Sequence, residues 1–409
     1  MAKRNRRRRD DRGKRIDLLE PNRKRAVRLV MQLMPIPGPS GRERSVADYI
    51  REQLYHAGVS SSSLQTDGAH RRALVQGDTG NLILKLPGTR RGPRRMLSAH
   101  MDTVPICVGC RPVRRGNRVS AADPSTGLGA DDRAGCAVVL NTALEIVERS
   151  LPHPPLTFCW SIQEETGLHG ARLVNKTMLA NPRMVFNWDG GSAAKLTVGA
   201  TGGYRLAIHV TGIASHAGSA PEQGVSAIAI AALAIADLHR EGWHGNIWKD
   251  GKHGTSNVGY IRGGQATNVV TDRLQLKAEA RSHDPRFRKH IVGEIEKAFA
   301  RAAKTVRSEA GKCGAVKVEK RLDYESFLLS PDEPSLRIAE EAVRAIGRDP
   351  SRAVANGGLD ANWWVGHGMP SVSFGCGQEN QHMVSEALDI AEYEDACRIA
   401  LRLATDREL

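Results

Sequence analysis

Two adjacent carboxylates, Glu164 and Glu165, follow the apolar run LTFCWSIQ and precede Thr166 and a glycine. Inside a pocket such a pair repels, and one member would hold a proton unless a cation stood beside it. The pair therefore raises the question of a metal centre, and the chain offers further ligands. His100 and Asp102 lie two apart in HMDTVP; on a strand, residues i and i+2 share a face, so this carboxylate can orient the imidazole. GLGADDRAG, residues 127–135, places Asp131 and Asp132 at a glycine-rich turn opening a helix. One aspartate serves as an N-cap. The second is left for another role, such as bridging two cations. Asp189 in NWDGG and His382 in ENQHMVSE complete the set. Catalytic zinc takes N and O donors and keeps a position open for water, and two zincs about 3.5–4 Å apart can clamp both oxygens of a hydrolytic displacement. One glutamate would then bind metal while its neighbour takes a proton from water.

These residues need a scaffold that brings them together. Val46, Ile50 and Leu54 recur at helical spacing and Gly58 stops the run; a first helix is expected over Arg25–Met34. NLILKLPG, RRMLSAHMDTVP, LTFCWSIQ and MVFNWDG read as strands, the last two apolar enough to be buried on both faces. ADDRAGCAVVLNTALEIVER reads as a helix between them. Strands alternating with helices predict a largely parallel sheet covered on both sides, with ligands gathered beyond its carboxyl ends. His100, Glu164 and Asp189 all stand at such ends. From about residue 199 the texture changes to GATGGYRLAIHVTGI, the apolar helix in EQGVSAIAIAALAIADLHRE, the strands TSNVGYIRGG and DRLQLKAEARSHD, and an amphipathic segment near 285–310, an α+β insertion. The α/β pattern returns in PSLRIAEEAVRAIG, PSVSFG and a helix expected near Val384–Thr405.

Length and composition set the outer bounds. With 409 residues the chain has room for two domains at roughly 150 residues each. Hydrophobic residues make up 40% and charged residues 25%, a globular mix rather than a disordered one. No apolar run reaches the roughly 20 residues of a membrane span, and no signal-peptide h-region follows the basic start. Seven scattered cysteines fit a reducing compartment, so the expected location is cytoplasmic. The net charge of +14 is concentrated in residues 1–25, which hold twelve Lys or Arg against four acids. This stretch reads as a disordered basic tail. It could meet nucleic acid or another polyanion by counterion release, but it lacks interleaved aromatics.

The ordered series HMDTVP, GADDRAG, EET, WDGG, ASHAGSAPEQGVSAI, GGQATNVV, AEARSHD, GGLDAN and NQHMVSE resembles the di-zinc metallopeptidases of the aminoacylase/carboxypeptidase family, and within it the peptidase T-like branch. The resemblance spans about residues 26–409. It implies an α/β zinc-peptidase catalytic domain, 26–198 and 326–409, with a mixed, largely parallel central sheet flanked by helices. An α+β lid and dimerisation domain, 199–325, is inserted. His100, Asp131, Glu165, Asp189 and His382 would hold two zinc ions per subunit, with Asp131 bridging; cobalt and manganese suit such donors too. Asp102 would hold the His100 ring, Glu164 would be the general base, and the Asp131-Asp132 bond would be cis. His216 would stabilise the tetrahedral intermediate, in many relatives from a partner subunit. Asn268, Arg281, Gly357 and Gly358 would hold the substrate, although Arg281 could instead pair with Glu279 on its own strand face. The implied activity is removal of the N-terminal residue of tripeptides by a homodimer joined through the lid. N-acyl-amino-acid deacylation and carboxypeptidase action share the same metal centre. Two features depart from the pattern. Arg133 stands where lysine is common, and the arginine-rich segment between Pro105 and Gly127 carries Cys107 and Cys110, expected as free thiols in a loop.

Overall fold

The computed structural model describes residues 19–406. By its internal contacts the chain divides into two units. One comprises residues up to Gly199, Leu328–Val354 and Leu359 onward, and the other comprises Ala200–Phe327 with Ala355–Gly358.

The first unit is built on a nine-stranded sheet. Its order is Leu64–Thr66, Leu82–Leu86, Leu156–Ser161, Arg95–His100, Met184–Trp188, Ser371–Phe374, Lys195–Ala200 and Phe327–Leu328, with Ser351–Ala355 also pairing with Lys195–Ala200. The four central strands run parallel, and antiparallel neighbours flank them on both sides. The fold is therefore mixed α/β. Every residue of Leu156–Ser161 and of Met184–Trp188 is buried, as continuous apolar runs in a covered parallel sheet require. The helix Ala130–Arg149 packs on the strands Arg95–His100 and Met184–Trp188, and helices Arg23–Leu33 and Ile390–Thr405 pack on that helix. Trp364, from the helix Asp360–Gly366, joins Ile83, Met96, Cys159 and Val185 in a separate apolar cluster.

Three expectations shift. Helix Arg23–Leu33 starts inside the stretch assigned to the basic tail, because Arg25 finds partners there: its Nε donates to Asn141 at 3.0 Å, and its terminal nitrogens pair with Glu145 and Glu148. Residues 1–18 of that tail lie outside the described residues. The C-terminal helix begins at Ile390 rather than near Val384, with Asp389 capping the N–H groups of Ala391 and Glu392. The arginine-rich segment after Pro105 contains a hairpin, Pro112–Arg115 with Arg118–Ala121, which joins Ala387–Asp389 and Gln378–Glu379 in a four-stranded antiparallel sheet.

The second unit is a five-stranded antiparallel sheet in the order Gly245–Lys249, Lys252–Gly263, Arg273–Ser282, Gly202–Thr211 and Ala315–Tyr324. Helices Ala227–Arg240 and Pro285–Thr305 cover one face, and a core including Ile208, Ile230, Leu276, Ile291 and Phe299 fills the interval. Among the described residues, no helix of either unit is long and apolar enough to cross a membrane.

Candidate metal centre

The parallel strands set the site's geometry. His100 is the last residue of its strand and pairs with Ser161, the last of the next. Trp188 pairs with Phe374, and Asp189 follows. The carboxyl ends of the parallel strands thus deliver His100, the Glu164–Glu165 turn and Asp189 to one rim, where α/β sheets place ligands.

Asp131 is the hub. Its Oδ1 lies 3.1 Å from Nε2 of His100, and its Oδ2 lies 3.2 Å from Nε2 of His382. The same His382 nitrogen is 2.9 Å from Oε1 of Glu165. His100, Asp131 and Glu165 bring ligand atoms within 4.8 Å of one another, and so do Asp131, Asp132 and Asp189. The two triads share Asp131. The Asp131-Asp132 peptide bond is cis.

Asp132 plays a different part. Its Oδ2 accepts the His100 N–H at 3.0 Å, and its Oδ1 accepts Gly135 N–H at 3.0 Å and the Gln378 side-chain amide at 2.8 Å. With both oxygens engaged, Asp132 secures the strand end and the first helical turn. Position 135 must be glycine for this, since a Cβ there would meet the Asp132 carboxylate at 2.4 Å and the Trp188 carbonyl at 2.6 Å.

The two glutamates also separate. Asp102, fully buried, accepts the N–H of Glu164 on Oδ1 at 2.9 Å and that of Glu165 on Oδ2 at 3.2 Å, and Ser40 donates its hydroxyl to Oδ2 at 2.6 Å. Glu43 accepts the preceding N–H, from Gln163, at 3.0 Å. Three successive backbone donors thus end on two buried carboxylates, which fixes the turn. Glu165 then reaches His382. The Glu164 carboxylate is buried among these groups and forms no side-chain hydrogen bond within the described residues. His100 Nδ1 lies 3.1 Å from the Asp102 backbone carbonyl and 3.4 Å from its Oδ1, so the main chain is the nearer orienting acceptor. Arg133 is fully buried, and its guanidinium donates to the carbonyls of Met101 and, at 3.1 Å, Ile36. Its planar fork spans two chain segments, which a lysine ammonium would reach less rigidly.

Charge balance tests the site for a cation. Burial, then the neighbouring Asp131, pushes Asp189 up to about 7. Burial pushes Glu164 well above the carboxylate range and raises Glu165. Burial alone would raise Asp131 too, but hydrogen bonds from His100 and His382 hold it below its ordinary value. His382 is raised to about 10 by Asp131 and Glu165. Acids thus outnumber bases, and a positive ion among them would relieve the burial and repulsion that raise Asp189, Glu164 and Glu165. The N and O donor set fits divalent cations of the zinc type.

The other expected residues lie in the second unit. His216 is exposed, and its Nδ1 accepts the N–H groups of Gly218 at 3.1 Å and Ser219 at 3.0 Å. Asn268 is exposed and accepts Ala217 N–H through its backbone carbonyl at 2.9 Å. Arg281 pairs with Glu279 at 2.9 Å, the alternative its position on the strand allowed. Gly358 lies against Tyr324, whose ring a Cβ would meet at 2.5 Å, whereas Gly357 has open space. Cys107 and Cys110 are free thiols, both buried. Ser40, Glu43, Gln378 and Glu386 support the site without having been expected; Gln378 and Glu386 each lie four residues from His382, which had been singled out.

A central mixed sheet with imidazoles and carboxylates gathered at its carboxyl rim is the architecture of a metallopeptidase. The model of Peptidase family M20/M25/M40 matches residues 96–406, and the chain belongs to that family. It is 30% identical over 371 residues to the uncharacterised protein YqjE of Bacillus subtilis (strain 168), covering 91% of this chain and 95% of that one. Two solved structures share the fold closely. A tripeptidase from Staphylococcus aureus subsp. aureus Mu50 superposes with a TM-score of 0.83 at 29% identity, covering 94% of this chain and 98% of that one. Aminopeptidase PepT from Bacillus cereus ATCC 10987 gives 0.79 at 30%, covering 94% and 99%.

Proposed function

We propose that this chain is a zinc-dependent exopeptidase that removes the N-terminal residue of tripeptides. The observation that carries the reading is the hub at Asp131, whose two carboxylate oxygens face two imidazoles while the nearby Glu164 carboxylate is left unbonded. Likeness to a tripeptidase and to an aminopeptidase at about the same identity supports the substrate class.

His100, Asp131, Glu165, Asp189 and His382 would hold two divalent cations, Asp131 being common to both groups of potential ligands. Such ions would supply polarisation of the scissile carbonyl and acidification of water toward neutrality. Glu164 takes the proton of the attacking water and returns it to the leaving amine, a step suited to a carboxyl whose burial raises its pKa. Asp102 fixes both the His100 ring and the turn that presents Glu164. His216, with Nδ1 occupied by two backbone donors, keeps its proton on Nε2 and offers it to the oxyanion. Asn268, Gly357, Gly358 and Arg281 hold the peptide. For Arg281 this means exchanging Glu279 for a substrate carboxylate. Ile228 and Leu233, exposed on an otherwise apolar helix, suit a homodimer seam in the second unit. Seven free cysteines favour a cytoplasmic setting.

The test uses zinc-loaded protein and one tripeptide in free, N-acetylated and C-amidated forms, with products read by mass spectrometry. Loss of the N-terminal residue from the free peptide, with the acetylated form untouched, is the expected result. Cleavage of the acetylated form would instead assign a deacylase or carboxypeptidase.

A further inference from the structure

Glu386 is almost completely buried, four residues after His382. Its Oε1 accepts the N–H of Asp131 at 2.9 Å and its Oε2 accepts the N–H of Gly129 at 2.7 Å. The thiol of Cys107 lies 3.6 Å from the same Oε2. The loop carrying Asp131 is laid directly on this carboxylate. A Cβ at Gly127 would come within 2.9 Å of the Cys107 sulfur and 3.3 Å of Glu386 Oε2, and Gly129 takes the left-handed φ of 73°. One short segment therefore grips Asp131 twice: His382 faces its side chain, and Glu386 takes its backbone N–H.

We infer that Glu386 is a positioning residue for the metal centre, holding Asp131 in register between His100 and His382, and that Cys107 orients Glu386 from behind. The inference rests on the reading of Asp131 as the shared ligand. It also gives the Cys107–Cys110 segment a structural role, since the Cys107 thiol donates to the same carboxylate that accepts the backbone N–H of Asp131. A carboxylate is required because only its two acceptor oxygens can take both N–H groups. The amide of a glutamine would present N–H to one of them.

The experiment measures zinc affinity and stoichiometry by competition with a chromophoric chelator, together with the visible spectrum of the cobalt-loaded protein. Wild type, Glu386→Gln, Gly127→Ala and Cys107→Ser are compared. Wild type is expected to take two ions. Glu386→Gln should weaken at least one of them by about 10–100-fold, the usual scale for partners that orient ligands, and should alter the cobalt spectrum. Gly127→Ala, which crowds Glu386 from the side, should do the same to a smaller degree and decides the matter should Glu386→Gln not fold. Cys107→Ser, whose hydroxyl can still donate, should change affinity by less than about tenfold, below the range of such effects. Lowered thermal stability with unchanged affinity and spectrum would make Glu386 a purely structural residue and overturn the inference. Failure of wild type to bind two ions would instead overturn the metal-site reading beneath it.

Discussion

The N–H of Glu164 donates to Oδ1 of Asp102 at 2.9 Å, and this bond ties the proposed base to the residue that flanks His100. The Asp102 carboxylate thereby touches two parts of the site at once, the ring of His100, a proposed ligand, at 3.4 Å and the turn carrying both glutamates. Asp102→Ala should weaken zinc binding by about 10–100-fold and also lower kcat at saturating zinc. Asp102→Asn, which keeps one acceptor oxygen, should fall between. A chelator competition assay with parallel kinetics separates the effects; intact affinity with reduced kcat would confine Asp102 to the turn.

Glu164 and Glu165 should give opposite phenotypes despite being neighbours. Glu164→Gln is expected to reduce kcat by about 10²–10⁴-fold, the range of general acid–base contributions, with two ions still bound by elemental analysis. Glu165→Gln should first lose metal, because Glu165 faces His382 at 2.9 Å. Turnover that survives Glu164→Gln would remove the base assignment.

Much of this arrangement could be read from residue order. The strands ending at His100 and Asp189 announce themselves as apolar runs, and their continuity predicts the parallel central sheet that pairs His100 with Ser161. The hairpin Pro112–Ala121 could not be read so, because Arg114, Arg115 and Arg118 take up much of its exposed surface and its partner strand, Ala387–Asp389, is remote in sequence. Strand Ala315–Tyr324 was hidden for a related reason. It is an edge strand whose run AVKVEKRLDY is largely charged, as edges exposed to solvent tend to be. Ser40, Glu43 and Glu386 work by accepting backbone or thiol hydrogens or by donating a hydroxyl to a carboxylate. No spacing encodes such a role, since any buried polar group in reach can perform it. Arg281 marks the opposite case: its strand position allowed both a substrate fork and a pair with Glu279, and the ion pair is what forms.

His216 offers a test of subunit sharing. Because Gly218 and Ser219 donate to Nδ1, the Nε2–H is left for the proposed role of oxyanion donor, and on that proposal His216→Ala should lower kcat by about 10²–10³-fold with little change in KM. Mixing Glu164→Gln with His216→Ala subunits then distinguishes two arrangements. If His216 serves the partner's site, mixed dimers regain activity that neither variant has alone. If it serves its own, the mixture stays inactive.

Glu43 predicts a pH-dependent stability with a defined sign. The residue has no solvent exposure, and burial followed by the Asp102 charge raises its pKa from 4.5 to about 8. Its Oε1 accepts Gly41 and Gln163 N–H groups, while Oε2 has no hydrogen-bond partner. Between about pH 4.5 and 8 the folded chain keeps a proton that the unfolded chain has released. Unfolding then releases that proton, so stability falls as pH rises, by up to about 1.4 kcal/mol per pH unit. Above about 8 the contribution is constant. Glu43→Gln keeps the acceptor oxygen, places an uncharged amide at the other position and abolishes this slope. Thermal midpoints of wild type and Glu43→Gln, measured from pH 5 to 9 at saturating zinc, should diverge in favour of the variant up to about pH 8 and run parallel beyond it. The comparison cancels every titration the two proteins share. Curves parallel across the whole range would mean that Glu43 ionises alike in the folded and unfolded chain.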